Sequence, residues 1–281
     1  MNTSPEVLAS LNEDLALEHG AILQYVIHGV QLRDVGITDP VRKTAREEMW
    51  HFEWLAEAIR DRGGEPVLDR ADIFLSASMA DSMVADVGTE DMALEHYART
   101  LDLIGDSDPE LTRLIERIVA DEHHHRITFE RLTLEAHALG EPALAAHPLM
   151  GLEDLGVVGP TIGTEYAGVL QYLFNKYGSG DCEQGEQYFE FAIDEMRHLS
   201  WAASYVPGVA NTPVPPPVPV DRVRWVNSPA EAHAAAGMLE GMVAQFYSAK
   251  VGEAKSPELA EDLSRAAVQH EYHRYKLERT D

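Results

Sequence analysis

The sequence of 281 residues predicts an all-α protein built from two tandem four-helix bundles, each with a long connection between its second and third helices. Three observations support this fold class. Helix start and stop signals recur along the chain, apolar residues repeat at helical spacing, and the second half repeats motifs of the first. The predicted domains are residues 1–147 and 148–281.

The first predicted helix begins at Ser4-Pro5-Glu6, where a capping serine precedes a proline and an acidic residue. Glu18 lies on the apolar stripe of this helix, where a carboxylate is costly to bury unless a cation meets it. The stripe follows steps of three, four and seven residues: Leu8, Leu11, Leu15, Ile22 and Tyr25.

The other three helices of the first half follow from local signals. The second covers about residues 39–62 and ends before Gly63-Gly64. Residues 63–88 are predicted as the long connection, and the third helix as about residues 90–104. The fourth opens at Asp108-Pro109 and extends to about residue 139.

A tandem duplication explains the second half. The segment from Glu18 to Tyr25 reappears from Glu165 to Tyr172, with Glu, Leu, Gln and Tyr at matching spacings. In both halves a Glu-Met-x-His motif begins thirty residues after the first glutamate. The Pro-rich segment 206–220 falls where residues 63–88 fall in the first half, so we interpret it as a crossover within the second bundle.

Paired glutamates and histidines indicate metal binding. Residues three apart on a helix point within about 60° of each other and can bind one ion. The Glu-x-x-His motif occurs at Glu48/His51, Glu122/His125 and Glu195/His198. Two such motifs and one further glutamate from each of two other helices form the ligand set of a dimetal site in a bundle.

The first half contains the complete set. Four carboxylates balance two divalent ions, and oxygen with imidazole donors suits iron or manganese. Glu90 and His96 compete with Glu95 for the position on the third helix. Tyr25, two turns beyond Glu18, either packs in the core or acts beside the metal as a hydrogen-bond donor or electron source, and it is the candidate catalytic residue. The predicted ligands are Glu18, Glu48, His51, Glu95, Glu122 and His125.

The second half matches less completely. His270 and His273 follow Pro257 by the steps at which Glu122 and His125 follow Pro109, so a histidine replaces a glutamate. Loss of a bridging carboxylate favours fewer or less oxidised metal ions, and the site is either altered or inactive. The candidate ligands are Glu165, Glu195, His198, Glu240, His270 and His273.

Charge and composition exclude several partners. With 48 acidic and 22 basic residues, a net charge of -26 makes nucleic acid an unexpected partner. No apolar run is long enough to span a membrane, and the N-terminal residues lack a signal-peptide pattern, so a cytoplasmic location without membrane association is expected. The single cysteine, Cys182, excludes an intrachain disulfide and a cysteine-based metal cluster. A homodimer is left open.

These motifs resemble the ferritin-like superfamily, and the first half is similar to bacterioferritin. The resemblance covers about 135 residues. It includes Leu11-Asn12, the Glu18–Tyr25 segment, Gly64-Glu-Pro66 and the two Glu-x-x-His motifs of the first half, Glu48/His51 and Glu122/His125. It implies that the six predicted residues of the first half bind a di-iron centre that reacts with dioxygen or peroxide, with Tyr25 beside it. Met49 corresponds to the haem-ligating methionine of bacterioferritin, but Met196 repeats it, and haem is not expected.

Three functions remain open at this point. The leading hypothesis is a non-haem di-iron protein that oxidises Fe(II), coupled to reduction of dioxygen or peroxide, at the N-terminal bundle. The first alternative is an oxygenase or oxidase acting on a small organic substrate. The second, from another class, is a non-catalytic metal-binding or interaction module.

Overall fold

The structure, a computed structural model, describes residues 3–31, 35–76, 78–140, 152–205, 218–219 and 221–279. Within these residues all regular secondary structure is helical, which confirms the predicted all-α class. The helices are α1 (Pro5–Gln31), α2 (Val35–Asp61), α3 (Met79–Ile104), α4 (Pro109–Leu139), α5 (Leu152–Ser179), α6 (Cys182–Ser204), α7 (Pro229–Glu253) and α8 (Pro257–Leu277).

The chain divides into two compact units, one containing α1 to α4 and the other α5 to α8. In the first unit α1 packs on α2 and α3, and α4 packs on α2 and α3. In the second, α5 packs on α6 and α7, and α7 packs on α8. The boundary predicted between residues 147 and 148 lies outside the described residues, as does the predicted crossover 206–220 except for residues 218 and 219.

Helix α3 begins at Met79, eleven residues before the predicted start. Ser78 caps it, because the Ser78 hydroxyl accepts a hydrogen bond from the Asp81 backbone N–H at 3.2 Å. The long connection is therefore shorter than the predicted 63–88, and Glu90 lies in the middle of a helix instead of at its beginning.

Two glutamines attach the connections to the bundles. Gln24 on α1 accepts a hydrogen bond from the Phe74 backbone N–H at 2.7 Å. In the second unit Gln171 on α5 accepts one from the Arg224 N–H at 2.7 Å and donates one to the Arg224 carbonyl at 2.9 Å. The repeated glutamine of the two halves thus fixes the segment after the second helix in both units.

The first bundle encloses polar groups within an aliphatic core. Leu11 and Leu15 are fully buried, as expected from the apolar stripe of α1, and Leu55 and Ile115 are fully buried as well. Met49 is fully buried as well. Among the described helices, none combines the length and apolar content needed to cross a membrane.

Candidate metal centres

Six acidic and histidine side chains from four helices meet inside the first bundle. Each is at most 2% exposed. The ligand atoms of four of them, two from α2 and two from α4, all lie within 4.8 Å of one another. We call this group the first cluster: Glu18, Glu48, His51, Glu90, Glu122 and His125.

Two carboxylates of the first cluster each face both imidazoles. The Nδ1 atom of His51 lies 2.7 Å from Glu48 Oε2 and 2.8 Å from Glu122 Oε1. The Nδ1 atom of His125 lies 2.9 Å from Glu48 Oε1 and 3.5 Å from Glu122 Oε2. Glu48 and Glu122 therefore direct one oxygen to each histidine, which is the arrangement that two bridging carboxylates require.

The outer ring nitrogens face acidic residues that precede these glutamates. His51 Nε2 lies 3.5 Å from Asp121 Oδ2, and His125 Nε2 lies 3.3 Å from Glu47 Oε2. A carboxylate that accepts the outer N–H of an imidazole turns the other nitrogen toward a metal. The two-residue acidic runs Glu47-Glu48 and Asp121-Glu122 thus supply a ligand and an orienting group together.

Two tyrosines hold the remaining carboxylates. The Tyr25 hydroxyl donates a hydrogen bond to Glu90 Oε1 at 2.5 Å, and the Tyr97 hydroxyl donates one to Glu18. Glu18 Oε2 lies 3.7 Å from His51 Nδ1, at one side of the bridging pair. Each of the two outer carboxylates is therefore fixed by a buried phenol.

Glu95, predicted as a ligand, lies outside the first cluster. Its side chain is 69% exposed and pairs with Arg99 on the same helix, whereas Glu90 is 1% exposed. Five residues rotate a helix by about 140°, so the two glutamates cannot share a face. His96, the other alternative, is 26% exposed and lies 4.0 Å from Glu13. Of the three candidates on α3, Glu90 is the one that the structure places in the first cluster.

A spacing in the sequence identifies Glu90 and was missed. A glutamate is followed seven residues later by a tyrosine on the first and third helices of both bundles: Glu18/Tyr25, Glu90/Tyr97, Glu165/Tyr172 and Glu240/Tyr247. Two turns of helix place both members on one face. This spacing selects Glu90 over Glu95, and it also indicates Tyr97 and Tyr247, which the sequence analysis did not single out.

Protonation keeps the metal-free first cluster close to neutral. Burial and the charges of Glu122 and Glu48 raise the pKa of Glu18 well above its usual range, and burial and Glu122 do the same for Glu90. Burial opposes charge on Glu122, but hydrogen bonds from Glu90, His125 and His51 hold its pKa far below its usual range. Although burial disfavours the imidazolium, the charge of Glu48 raises the pKa of His125 to about 11.

Several donor atoms of the first cluster are buried and approach one another closely, but without hydrogen-bond geometry. They are both carboxylate oxygens of Glu48, Oε1 of Glu122, and the Nδ1 atoms of His51 and His125. A buried polar atom without a hydrogen bond is costly, and these atoms all belong to types of group that bind metals. The residues therefore fit a pair of divalent cations held by oxygen and imidazole.

The second bundle contains a matching group, the second cluster, with each residue at most 8% exposed. It forms two overlapping sets of four potential ligands that share Glu195 and His270. Tyr247 donates a hydrogen bond to Glu165, and Tyr172 donates one to Glu240, as in the first bundle. The second cluster contains all six predicted residues: Glu165, Glu195, His198, Glu240, His270 and His273.

Gly168 on α5 leaves room for the side chain of Glu195 in the second cluster. A Cβ atom at this position on α5 would lie 3.0 Å from Cγ and 3.4 Å from Cδ of Glu195. The side chain of Glu195 thus lies so close to the α5 backbone that a larger residue at position 168 would require it to shift.

A cavity of about 380 Å³ lies in the second unit between α5, α7 and residues 221–224. Met238, Leu239, Met242 and Phe246 supply much of its apolar lining. None of its described lining residues belongs to either cluster.

Comparison with known proteins gives consistent matches to the first half. The family model described as Ferritin-like domain matches residues 8–135. The bacterioferritin of Streptomyces coelicolor is 32% identical over 130 residues, which cover 44% of this chain and 78% of that protein. The bacterioferritin of Desulfovibrio desulfuricans is 29% identical over 145 residues, covering 50% of this chain and 81% of that protein.

Solved structures match the same half of the chain. A mycobacterial bacterioferritin is 29% identical, with a TM-score of 0.47, over 50% of this chain and 90% of that one. The Desulfovibrio desulfuricans bacterioferritin, whose structure is described as showing its diiron site in different catalytic states, is 28% identical, with a TM-score of 0.45. That match covers 48% of this chain and 82% of the other.

Proposed function

Because this chain belongs to the ferritin-like family, we propose that its first bundle binds two iron ions and oxidises Fe(II) with dioxygen or peroxide. The observation that carries the proposal is the set of buried donor atoms of Glu48, Glu122, His51 and His125 that lack hydrogen-bond partners. A relative described as having a diiron site supports iron over manganese.

The residues of the first cluster would bind the two ions in different ways. Glu48 and Glu122 face both imidazoles and would bridge the two ions. His51 and His125 would each bind one ion through Nδ1. Glu18 and Glu90 would complete the two coordination spheres from opposite helices. The four carboxylates match the charge of two divalent ions, so the buried site would be neutral when loaded.

Bound Fe(II) would supply electrons for the reduction of dioxygen or peroxide. The protein orients the ligands. Tyr25 and Tyr97 hold Glu90 and Glu18 in place through hydrogen bonds from their hydroxyl groups. Glu47 and Asp121 accept the outer N–H groups of His125 and His51, which keeps the Nδ1 atoms directed inward.

The charge of the protein favours delivery of cations. A net charge of -26 produces a negative potential around the chain, and such a field raises the local concentration and encounter rate of Fe(II). Raised ionic strength screens this field and is expected to slow iron uptake.

Oxygen uptake after addition of Fe(II) tests the proposal. Glu48→Ala and His51→Ala should each abolish Fe(II)-dependent uptake, because each removes a buried ligand. Glu95→Ala is the matched control, since it removes an exposed acid from the same bundle and should leave uptake unchanged. Normal uptake in folded Glu48→Ala protein would refute the proposal.

A further inference from the structure

His270 changes what the second cluster can bind. It occupies the position of Glu122, whose two oxygens face two histidines in the first bundle. A carboxylate can bind two ions at once, whereas a neutral imidazole has one N–H donor and one lone pair. The residue at position 270 therefore determines whether both overlapping ligand sets of the second cluster can each bind an ion.

The two ring nitrogens of His270 face different surroundings. Its Nδ1 lies 3.0 Å from Glu240 Oε2 in hydrogen-bond geometry. Its Nε2 lies 3.4 Å from Glu195 Oε2 and 3.6 Å from Glu165 Oε1, is buried, and has no hydrogen-bond partner. Donation from Nδ1–H to Glu240 leaves the lone pair on Nε2, directed toward Glu165 and Glu195.

His198 directs a second lone pair to the same place. Its Nε2 lies 3.2 Å from the side-chain oxygen of Gln269, which can only accept a hydrogen bond. Its Nδ1 lies in hydrogen-bond geometry 3.2 Å from Glu195 Oε2 and 3.3 Å from Glu165 Oε2, so a metal ion that displaces the Nδ1 proton meets the Nδ1 lone pair at this position. Two imidazole lone pairs and two carboxylates converge on one position.

The other ligand set of the second cluster is less complete. It consists of Glu195, Glu240, His270 and His273. Glu240 there already accepts hydrogen bonds from His270 and Tyr172. His273 offers Nδ1, with Nε2 facing Asp194 at 3.2 Å, but the lone pair of His270 is directed away from this half. A second ion would thus lack the fourth ligand that the first ion has.

We propose that the second bundle binds a single divalent transition-metal ion of the zinc type through Glu165, Glu195, His198 and His270. Two imidazoles and two carboxylates form a tetrahedral donor set that zinc accepts, and the two carboxylates neutralise the dication. Four protein ligands leave no open position, so the ion is structural and stabilises the second bundle. The inference does not depend on the proposed function of the first bundle.

Metal titration of the full-length chain tests this inference. The background is Glu48→Ala/His51→Ala, which disables the first cluster, and the probes are Zn(II) and Co(II). We expect about one ion per chain by elemental analysis after desalting, with the intense visible absorption of tetrahedral Co(II). His198→Gln in this background should lose both the ion and the absorption. About two ions without further mutation, or none, would overturn the inference, and so would an unchanged ion in His198→Gln.

His270→Glu supplies the decisive comparison. It restores a carboxylate that can face both halves, and in the same background it should raise the content from about one ion to about two. An unchanged count in folded His270→Glu protein would overturn the assigned role of His270. Far-ultraviolet circular dichroism verifies that each variant is folded. Loss of Fe(II) oxidation in the wild type would leave these zinc and cobalt counts unaffected, so the two proposals fail separately.

Discussion

His125 Nε2 lies 3.3 Å from Glu47 Oε2, so the residue preceding one bridging carboxylate orients the histidine of the opposite helix. The same relation joins His51 to Asp121 in the first bundle and His273 to Asp194 in the second. Glu47 is 36% exposed, so its side chain reaches the histidine from the bundle surface. The pattern separates the groups proposed to bind metal from the groups that orient the histidines.

Removal of an orienting carboxylate should weaken metal binding without abolishing it. Asp121→Ala leaves every predicted ligand in place but frees the outer N–H of His51. Loss of such a partner typically costs 10- to 100-fold in metal affinity, and we expect about that loss for Fe(II). Competition with a chelator under anaerobic conditions measures it. Glu116→Ala, an exposed acid on the same helix, is the control, and an equal affinity in both variants would refute the role of Asp121.

Glu90 and Glu95 should respond differently to the same substitution. Glu90→Gln removes a buried carboxylate and should lower the iron bound by the first bundle by about one ion. Glu95→Gln alters only an exposed pair with Arg99 and should leave the iron content unchanged. Anaerobic loading followed by elemental analysis distinguishes them. The opposite result would restore Glu95 as the ligand and contradict the register of α3.

Tyr25→Phe separates the two roles of that tyrosine. The change keeps the buried ring but removes the hydrogen bond to Glu90. Because the hydroxyl no longer holds Glu90, stopped-flow absorbance should show slower Fe(II) oxidation at an unchanged iron content. Tyr275→Phe, at an exposed position, is the control. An unaltered rate in Tyr25→Phe would assign Tyr25 to core packing alone.

Asp14 should make the metal-free protein less stable as the pH rises. Burial raises its pKa to about 7 from 3.8, even though the Thr100 hydroxyl donates a hydrogen bond to it. The folded state then holds this proton more tightly than the unfolded chain, so the stabilisation is complete below pH 3.8 and is lost as the pH rises to about 7. The loss is on the order of 4 kcal/mol.

Urea unfolding of wild type and Asp14→Asn between pH 4 and pH 8 checks this expectation. The neutral asparagine should remove much of the decline in the free energy of unfolding. Asp91→Asn, an exposed acid, should not alter it. A decline of the same size in Asp14→Asn would mean that another group causes it.

The sequence predicted the features that depend on local signals. Glu48 with His51 and Glu122 with His125 share helix faces because three residues separate them, whatever the helices pack against. Glu95 was chosen over Glu90 because the predicted start of α3 at about residue 90 left Glu90 in the first turn, whereas the Ser78 cap begins the helix at Met79. The seven-residue spacing from Glu90 to Tyr97 is the sequence signal that favours Glu90.

Features that join different helices could not be predicted locally. The hydrogen bond from Tyr97 to Glu18 spans 79 residues, and the contact of His125 with Glu47 spans 78. Both depend on the order and register of helix packing, which periodicity does not determine. The direction of the His270 lone pair likewise depends on contacts with α5, α6 and α7, which the sequence does not display.

Anaerobic Fe(II) binding by the Glu195→Gln/His270→Gln variant tests the central claim most directly. Glu195 and His270 belong to both ligand sets of the second cluster, so the iron that this variant retains after desalting belongs to the first cluster. The arrangement of Glu48 and Glu122 between His51 and His125 predicts about two Fe(II) per chain, with both lost when Glu48→Ala is added. Retention of about one iron, or of none, in the folded variant would contradict a di-iron centre in the first bundle.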